Sequence, residues 1–347
     1  MSKRIWSFVG LLVIVGGVVV VLAAAAPASG PSGLSHAITV KDRHENQLFA
    51  HAGVVGVGVG VADGNAVIDV LAARANVAGI PRSIDGVTVV TRVSGRIRAL
   101  SATARTARPY GKGGGVNPAS YFSRPVPIGV STGRYDECSA GTIGARVKSG
   151  SGPHVSVFAL SASHVYAKDG IGASVGDKIL QPGRYDSKPK CSYSSSYDLA
   201  TLSNWSTITF SGDNTVDAAI AQTTTGNLGN STPSNGYGTP SSTITSATVG
   251  MAVQKYGERS GLTHGSVCAI DVSLDVDYGG GMVAHFVHQF AVCDGGFSNA
   301  GDSGSLIVTD NGSNQPVGLL FAGGSHYTFA NPIGAVLSSL GVTIDGS

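Results

Sequence analysis

The sequence predicts an all-β protein assembled from many short strands. Short apolar runs recur along the chain, separated by glycine and polar clusters. Glycine supplies 50 of the 347 residues, while charged residues make up only 13%, about half the ~25% usual in soluble domains. No convincing amphipathic helix is found until Ile333–Leu340. Many short strands with turn signals between them mean a sandwich or a barrel. Hydrophobic residues at 42% exclude a disordered chain. Glycine without a G-X-Y period excludes collagen, and a net charge of +2 leaves no electrostatic footprint for nucleic acid.

Residues 1–28 read as an export signal. Lys3 and Arg4 precede an apolar run from Ile5 to Ala26, and Ala26-Pro27-Ala28 supplies a small-residue cleavage site. The run is also long enough to span a bilayer as an uncleaved anchor. Either way the rest of the chain is exported. Residues 29–44 are polar and unpatterned and read as a linker.

Residues 45–104 read as a small β-rich (α+β) N-terminal module. Valine and glycine alternate from Val54 to Val61, an Asp63-Gly64 turn follows, and Ala66–Leu71 continues the pattern, as in a hairpin. Val87–Val93 and Arg96–Leu100 add strands. Gly56-x-Gly58 superficially suggests a nucleotide loop, but the two-residue alternation explains it better. Residues 105–124, rich in glycine and proline, read as a second linker.

Beyond residue 124 the strand candidates are Val155–Leu160, Thr207–Phe210, Val216–Ala221, Val267–Val276, Phe286–Val292, Leu306–Val308 and Val317–Phe321. The low-complexity stretch from Gln222 to Thr243 suits a surface connection between two β halves. Four cysteines, Cys138, Cys191, Cys268 and Cys293, favour two disulfides in an oxidising compartment. They allow three pairings. No C-x-x-C spacing is present, so no metal site is expected, and no cofactor is implied.

Gly301-Asp-Ser-Gly-Ser305 is the sharpest chemical signal. Flanking glycines let the backbone turn tightly around Ser303 and let N–H groups converge on an oxyanion. A nucleophilic serine needs a base, and the base an orienter. His164 ends an apolar run followed by small residues, which leaves its ring free to reach a partner. His285 and His288 lie three apart within a run that reads as a strand, Met282–Val292, and so point to opposite faces, which argues against a joint metal site. Asp217 is set among small and apolar residues, and a buried carboxylate needs a partner such as a histidine N–H. Asp198 is its rival. The chain order His164, Asp217, Ser303 separates this triad from the α/β-hydrolase and subtilisin orders.

With these residues in place, the chain resembles chymotrypsin-fold (trypsin-like) serine peptidases of the bacterial secreted type, similar to the streptogrisin and alpha-lytic group. The resemblance covers about residues 125–342. It rests on Leu160-Ser-Ala-Ser-His164, Val216-Asp-Ala-Ala-Ile-Ala221, Ser260-Gly-Leu-Thr-His-Gly-Ser-Val267 and Gly301-Asp-Ser-Gly-Ser305. It implies two six-stranded antiparallel β-barrels with a C-terminal helix, over residues 125–347. It further implies a monomeric secreted endopeptidase acting on polypeptides, with no nucleic acid partner and no membrane contact once the signal is cleaved. In that frame Ser303 is the nucleophile, His164 the base, Asp217 the orienter, and the N–H groups of Gly301 and Ser303 the oxyanion hole. Residues 45–104 would be a pro-region or a permanent accessory domain. The other functional readings are a non-catalytic protease-like binding protein and an esterase using the same triad.

The resemblance also sets the specificity pocket near Phe297, with Phe321, Ala322 and Gly323 as its wall. No acid stands at Phe297, so a small or apolar preference is expected rather than a basic one. Where relatives carry a cysteine after the histidine this chain has Val165, which leaves Cys138 to pair with Cys191. Cys268 and Cys293 fall directly opposite one another if Gly280-Gly281 centre a two-residue hairpin turn. Opposed Cα atoms about 4.5–5.5 Å apart suit a disulfide. Matching the most apolar faces of the two strands, however, needs a one-residue shift and hence a β-bulge.

Overall fold

A computed structural model describes residues 31–100, 115–168 and 172–347. The signal or anchor expected at residues 1–28, and residues 105–114 of the linker expected at 105–124, lie outside these residues.

Two curled, mostly antiparallel sheets dominate. In the second, the strands Ala252–Gly257, Gly261–Gly279, Met282–Val292, Thr328–Pro332, Pro316–Gly323 and Leu306–Thr309 pair in a closed ring of six. Val253, Val267, Phe290, Phe297, Ile307 and Leu320 fill part of its interior. The first sheet runs Thr343–Ile344, Ala145–Ser149, Ser156–Ser161, Ala219–Thr223, Asp198–Trp205, Lys178–Leu180, Ser131–Arg134 and Gly141–Thr142. It therefore has six longer strands, as expected, and a two-residue strand at each end. Its own core includes Ile143, Ala159, Tyr166, Ile179 and Leu202.

The helix Ile333–Leu340 lies where its period predicts and ends at Gly341 in the left-handed region. Its apolar side joins Val147, Leu160 and Ile220 of the first sheet to Leu306, Val308 and Leu319 of the second. That shared cluster fixes the two barrels against each other, and the functional groups lie at the same junction.

Three sequence expectations change. The linker expected at residues 29–44 is largely helical where it is described: a helix spans Leu34–Phe49. Its inward stripe is disguised, because Lys41 is buried there and forms an i,i+4 ion pair with Glu45 at 2.7 Å. A charged pair at core-facing positions erases the hydrophobic period that reveals a helix. Second, the strands of residues 45–104 form no sheet of their own. The hairpin Val54–Ala62 and Asn65–Ala72 turns at Asp63-Gly64, both with positive φ, as a two-residue turn requires. Its first strand then pairs antiparallel with Gly261–Gly279, extending the second sheet. Third, Thr207–Phe210 is irregular; Asn214 holds Thr209 there through both its main-chain groups. The long connection 224–251 contains no strand.

Candidate active site

The strand Ser156–Ser161 delivers its chain to a four-residue helix, Ser163–Tyr166, that carries His164. Ser163 anchors this turn by donating its hydroxyl to the Ser206 carbonyl at 2.8 Å. Asp217 sits just before the strand Ala219–Thr223, not within it. Its main-chain N–H donates to Asn331 Oδ1 at 3.0 Å, and Asn331 Nδ2 donates back to its carbonyl at 3.3 Å. Ser303 enters from the second barrel, in the turn before Leu306–Thr309.

The three side chains meet in one line. His164 Nδ1 is 2.6 Å from Asp217 Oδ2, and His164 Nε2 is 2.8 Å from Ser303 Oγ. A carboxylate only accepts, so Nδ1 carries the proton and Nε2 is left to accept from the serine. The Ser303 hydroxyl has a second acceptor in the Phe321 carbonyl at 3.2 Å. All three residues are buried. The alternative orienter, Asp198, is elsewhere, accepting from Lys178 at 2.7 Å and Tyr193 at 3.1 Å.

Burial would push the Asp217 carboxyl up. The His164 charge and ring N–H, the Tyr278 hydroxyl and the His164 backbone N–H outweigh it and hold the group below the ordinary carboxylate range. Tyr278 is the residue that sequence reasoning missed. It stands at the end of the strand Gly261–Gly279, donates to Asp217 Oδ2 at 2.7 Å, and sets its ring edge-on to His164 at 5.9 Å. Nothing local in the sequence marks it, because its partner lies 61 residues away.

The Gly301–Ser305 turn is held from below by Asp302. Its buried carboxylate accepts from the N–H groups of Asn299, Arg259 and Ser260 at 2.9, 2.9 and 3.1 Å, and pairs with buried Lys255 at 3.2 Å. This charge is thus balanced internally, and the turn is shaped by contacts already made. Gly304 has φ +89°, and a Cβ there would lie 2.2 Å from Ser161 Oγ. Gly301 has φ +116° and packs on Glu258, so neither site admits a side chain. Burial pushes the Glu258 carboxyl well up, aided by Asp186, despite the opposing charge of Arg259.

Of the expected pocket residues, Phe297 is buried in the second barrel, with Leu100 packed on the same cluster. Phe321 turns its ring away onto Phe286, 4.7 Å between centroids, and offers the site only its carbonyl. Ala322 and Gly323 pair through their backbone with Ala99 and Arg98. The Gly301 N–H donates to the Leu100 carbonyl at 2.5 Å.

Disulfides join Cys138 to Cys191 and Cys268 to Cys293. The second hairpin turns at Gly280-Gly281, with Gly279 opposite Met282, then shifts register so that Leu274 faces Phe286 and Val276 faces Ala284. His285 and His288 pair separately, with Asp275 and Asp271, each at 2.8 Å. No group of three or more metal-ligating side chains occurs among the described residues.

No family model matches the chain. It is similar to solved serine proteases. One is a glutamic acid specific serine protease that uses a histidine triad in substrate binding, at 19% identity over 63% of this chain and 100% of that one, TM-score 0.44. Thermobifida fusca protease A matches at 17%, over 64% and 100%, TM-score 0.41. Cellulomonas bogoriensis chymotrypsin matches at 19%, over 64% and 99%, TM-score 0.40.

Proposed function

We propose that the chain is a secreted serine endopeptidase that cuts peptide bonds through an acyl-enzyme. The observation that carries this reading is the hydrogen-bonded line Asp217–His164–Ser303, at 2.6 and 2.8 Å. Neutral His164 takes the Ser303 proton at Nε2 as Oγ attacks the carbonyl carbon. Asp217 keeps the imidazole in the needed tautomer and stabilises the imidazolium that forms. The Gly301 and Ser303 N–H groups receive the developing oxyanion. His164 then gives its proton to the departing amine, and water repeats the sequence to release the acid.

The edge of the strand Pro316–Gly323 favours a peptide over a simple ester, since Ala322 and Gly323 offer ladder hydrogen bonds to an extended backbone. Two disulfides support export. The triad is complete within one chain, in keeping with a monomer. We assign the peptidase domain to residues 125–347 and a pro-region to the N-terminal module. A labelled fluorophosphonate tests the reading. It should attach to Ser303 in the wild-type chain and not in Ser303→Ala, and amide substrates should be hydrolysed. A chain that stays unlabelled and cuts no amide is the binding protein instead; one that cuts only esters is an esterase.

A further inference from the structure

We infer that the site takes a leucine-class aliphatic side chain on the acyl side of the scissile bond, and that the chain's own Leu100 is its first such substrate residue. The inference rests on the peptidase reading above.

The segment before Leu100 is seated as an extended peptide along the functional groups. The strand Arg98–Ala99 pairs antiparallel with Pro316–Gly323, Ala99 opposite Ala322 and Arg98 opposite Gly323. The Leu100 N–H donates at 3.2 Å to the Phe321 carbonyl, the same oxygen that the Ser303 hydroxyl reaches at 3.2 Å. The Leu100 main chain therefore lies beside the nucleophile. Its carbonyl oxygen accepts from the Gly301 N–H, which is where a reacting carbonyl must point. Upstream, the Ile97 carbonyl accepts from Asp277 N–H at 3.0 Å, and the Ser94 carbonyl from Ser325 N–H at 2.9 Å. Ile97 is itself buried.

The Leu100 side chain explains the specificity. It packs against the cluster holding Val253, Phe297 and Leu320. A Cβ on Gly323 would come within 2.8 Å of Leu100 Cδ1, so the glycine is what leaves room for a branched aliphatic group. Of the charges near Phe297, Lys255, 5.8 Å from its ring, pairs with Asp302 at 3.2 Å, and the Asp294 carboxylate accepts from the Ser266 N–H at 2.6 Å. A charged substrate side chain would find no partner there and would lose its hydration.

The reaction balances on these groups alone. Ser303 Oγ bonds to the Leu100 carbonyl carbon while its proton passes to His164 Nε2. The carbon–nitrogen bond to Ser101 breaks, and that nitrogen takes the proton. Water then adds to the acyl carbon, Ser303 recovers its proton, and Leu100 ends as a carboxylate.

The test uses the full chain and then the matured enzyme. Wild-type chain should yield a new N-terminus at Ser101 by mass spectrometry, and Ser303→Ala should not. Leu100→Met should still be cut there, whereas Leu100→Asp should be cut at least ~100-fold more slowly, in line with what a dedicated pocket discriminates. On the matured enzyme, peptides differing only at the residue before the cut should give kcat/KM at least ~100-fold higher for Leu than for Asp, Lys or Gly. Gly323→Val should move that preference from Leu towards Ala. Hydrolysis that favours a charged residue, or maturation at another bond with Leu100 left uncut, overturns the inference while leaving the peptidase reading intact. A chain that neither labels at Ser303 nor cuts any peptide overturns the peptidase reading itself.

Discussion

Replacing Tyr278 by phenylalanine removes one hydroxyl and keeps the ring that packs on His164, Phe210 and Phe286. The Asp217 carboxylate accepts three donors: His164 Nδ1 at 2.6 Å, Tyr278 at 2.7 Å and the His164 backbone N–H at 3.1 Å. A hydrogen bond to a charged group contributes about 1.5–3 kcal/mol. The two donors that remain still come from His164, so the imidazole keeps its place and the loss stays within that range. At ~1.4 kcal/mol per decade that range is a ceiling of about 10- to 150-fold on the fall in kcat/KM, because a stronger pull of the carboxylate on the imidazolium offsets part of the lost orientation. The pH profile should also move. The hydroxyl dipole now offsets part of the carboxylate charge, so its removal lets Asp217 hold the imidazolium more strongly. The acidic limb of kcat/KM should therefore shift to higher pH in Tyr278→Phe. Steady-state kinetics on a peptide amide across pH, with thermal unfolding alongside, measures both. If unfolding drops while kcat/KM and its acidic limb stay put, Tyr278 is only a packing residue and the argument fails.

Asp217→Asn should lower kcat by about 10⁴, the effect of holding the wrong imidazole tautomer, while Asp198→Asn should leave kcat within about twofold because its partners are Lys178 and Tyr193. The docking of the helix Leu34–Phe49 should depend on pH at both ends. Burial pushes Glu45 up, but the His285 ring, Lys41 and the Ser273 hydroxyl outweigh it and hold its carboxyl at about 2, below its ordinary 4.5. That contribution is present above pH 4.5 and is lost as pH falls towards 2. Asp275 and Glu45 raise His285 from 6.5 to about 9, so its contribution is full below pH 6.5 and is lost as pH rises through about 9. Protection factors of the helix amides, corrected for the intrinsic pH dependence of exchange, should be largest between those limits, and protection that does not change with pH would remove both groups from the docking. Glu258→Gln mimics the protonated acid that burial favours, so thermal stability near neutral pH should change by less than about 1 kcal/mol; a larger loss would mean that the carboxylate is ionised.

How much of this was legible in the sequence depends on whether the signal was local. The helix Ile333–Leu340 and the Asp63-Gly64 and Gly280-Gly281 turns declare themselves, because period and turn chemistry are properties of neighbouring residues. The helix Leu34–Phe49 does not, because Lys41 and Glu45 occupy its inward stripe and are satisfied by Asp271, Ser273 and His285 on strands more than 200 residues away. The hairpin of Cys268 and Cys293 shows both cases at once. Its turn follows from Gly280-Gly281, yet its register past the turn follows burial: Leu274 faces Phe286 and Val276 faces Ala284, and irregularities absorb the mismatch.

The same division runs through the site. Ser303 stands out because its own turn demands glycines, and Asp217 because a carboxylate among alanines needs a partner. Tyr278 and Leu100 carry no such mark. Each is an ordinary residue at the end of a strand segment, and each acquires its role only when the second barrel carries it to the junction. The strand ending in Tyr278 belongs to the long hairpin whose other stretch, Gly56 to Gly60 opposite Ala269 to Leu274, receives the N-terminal strand. The helix and hairpin of the N-terminal segment are therefore held by the strand that supplies the third donor to Asp217. Arg98 completes the link, since its strand pairs with Asp277, the neighbour of Tyr278, as well as with Gly323. Seating Leu100 against Gly301 and seating Tyr278 against Asp217 thus draw on one continuous set of strand contacts. A substitution that loosens the N-terminal hairpin from Gly261–Gly279 should reach the site along that path and slow cutting after Leu100 more than it slows hydrolysis of a free peptide.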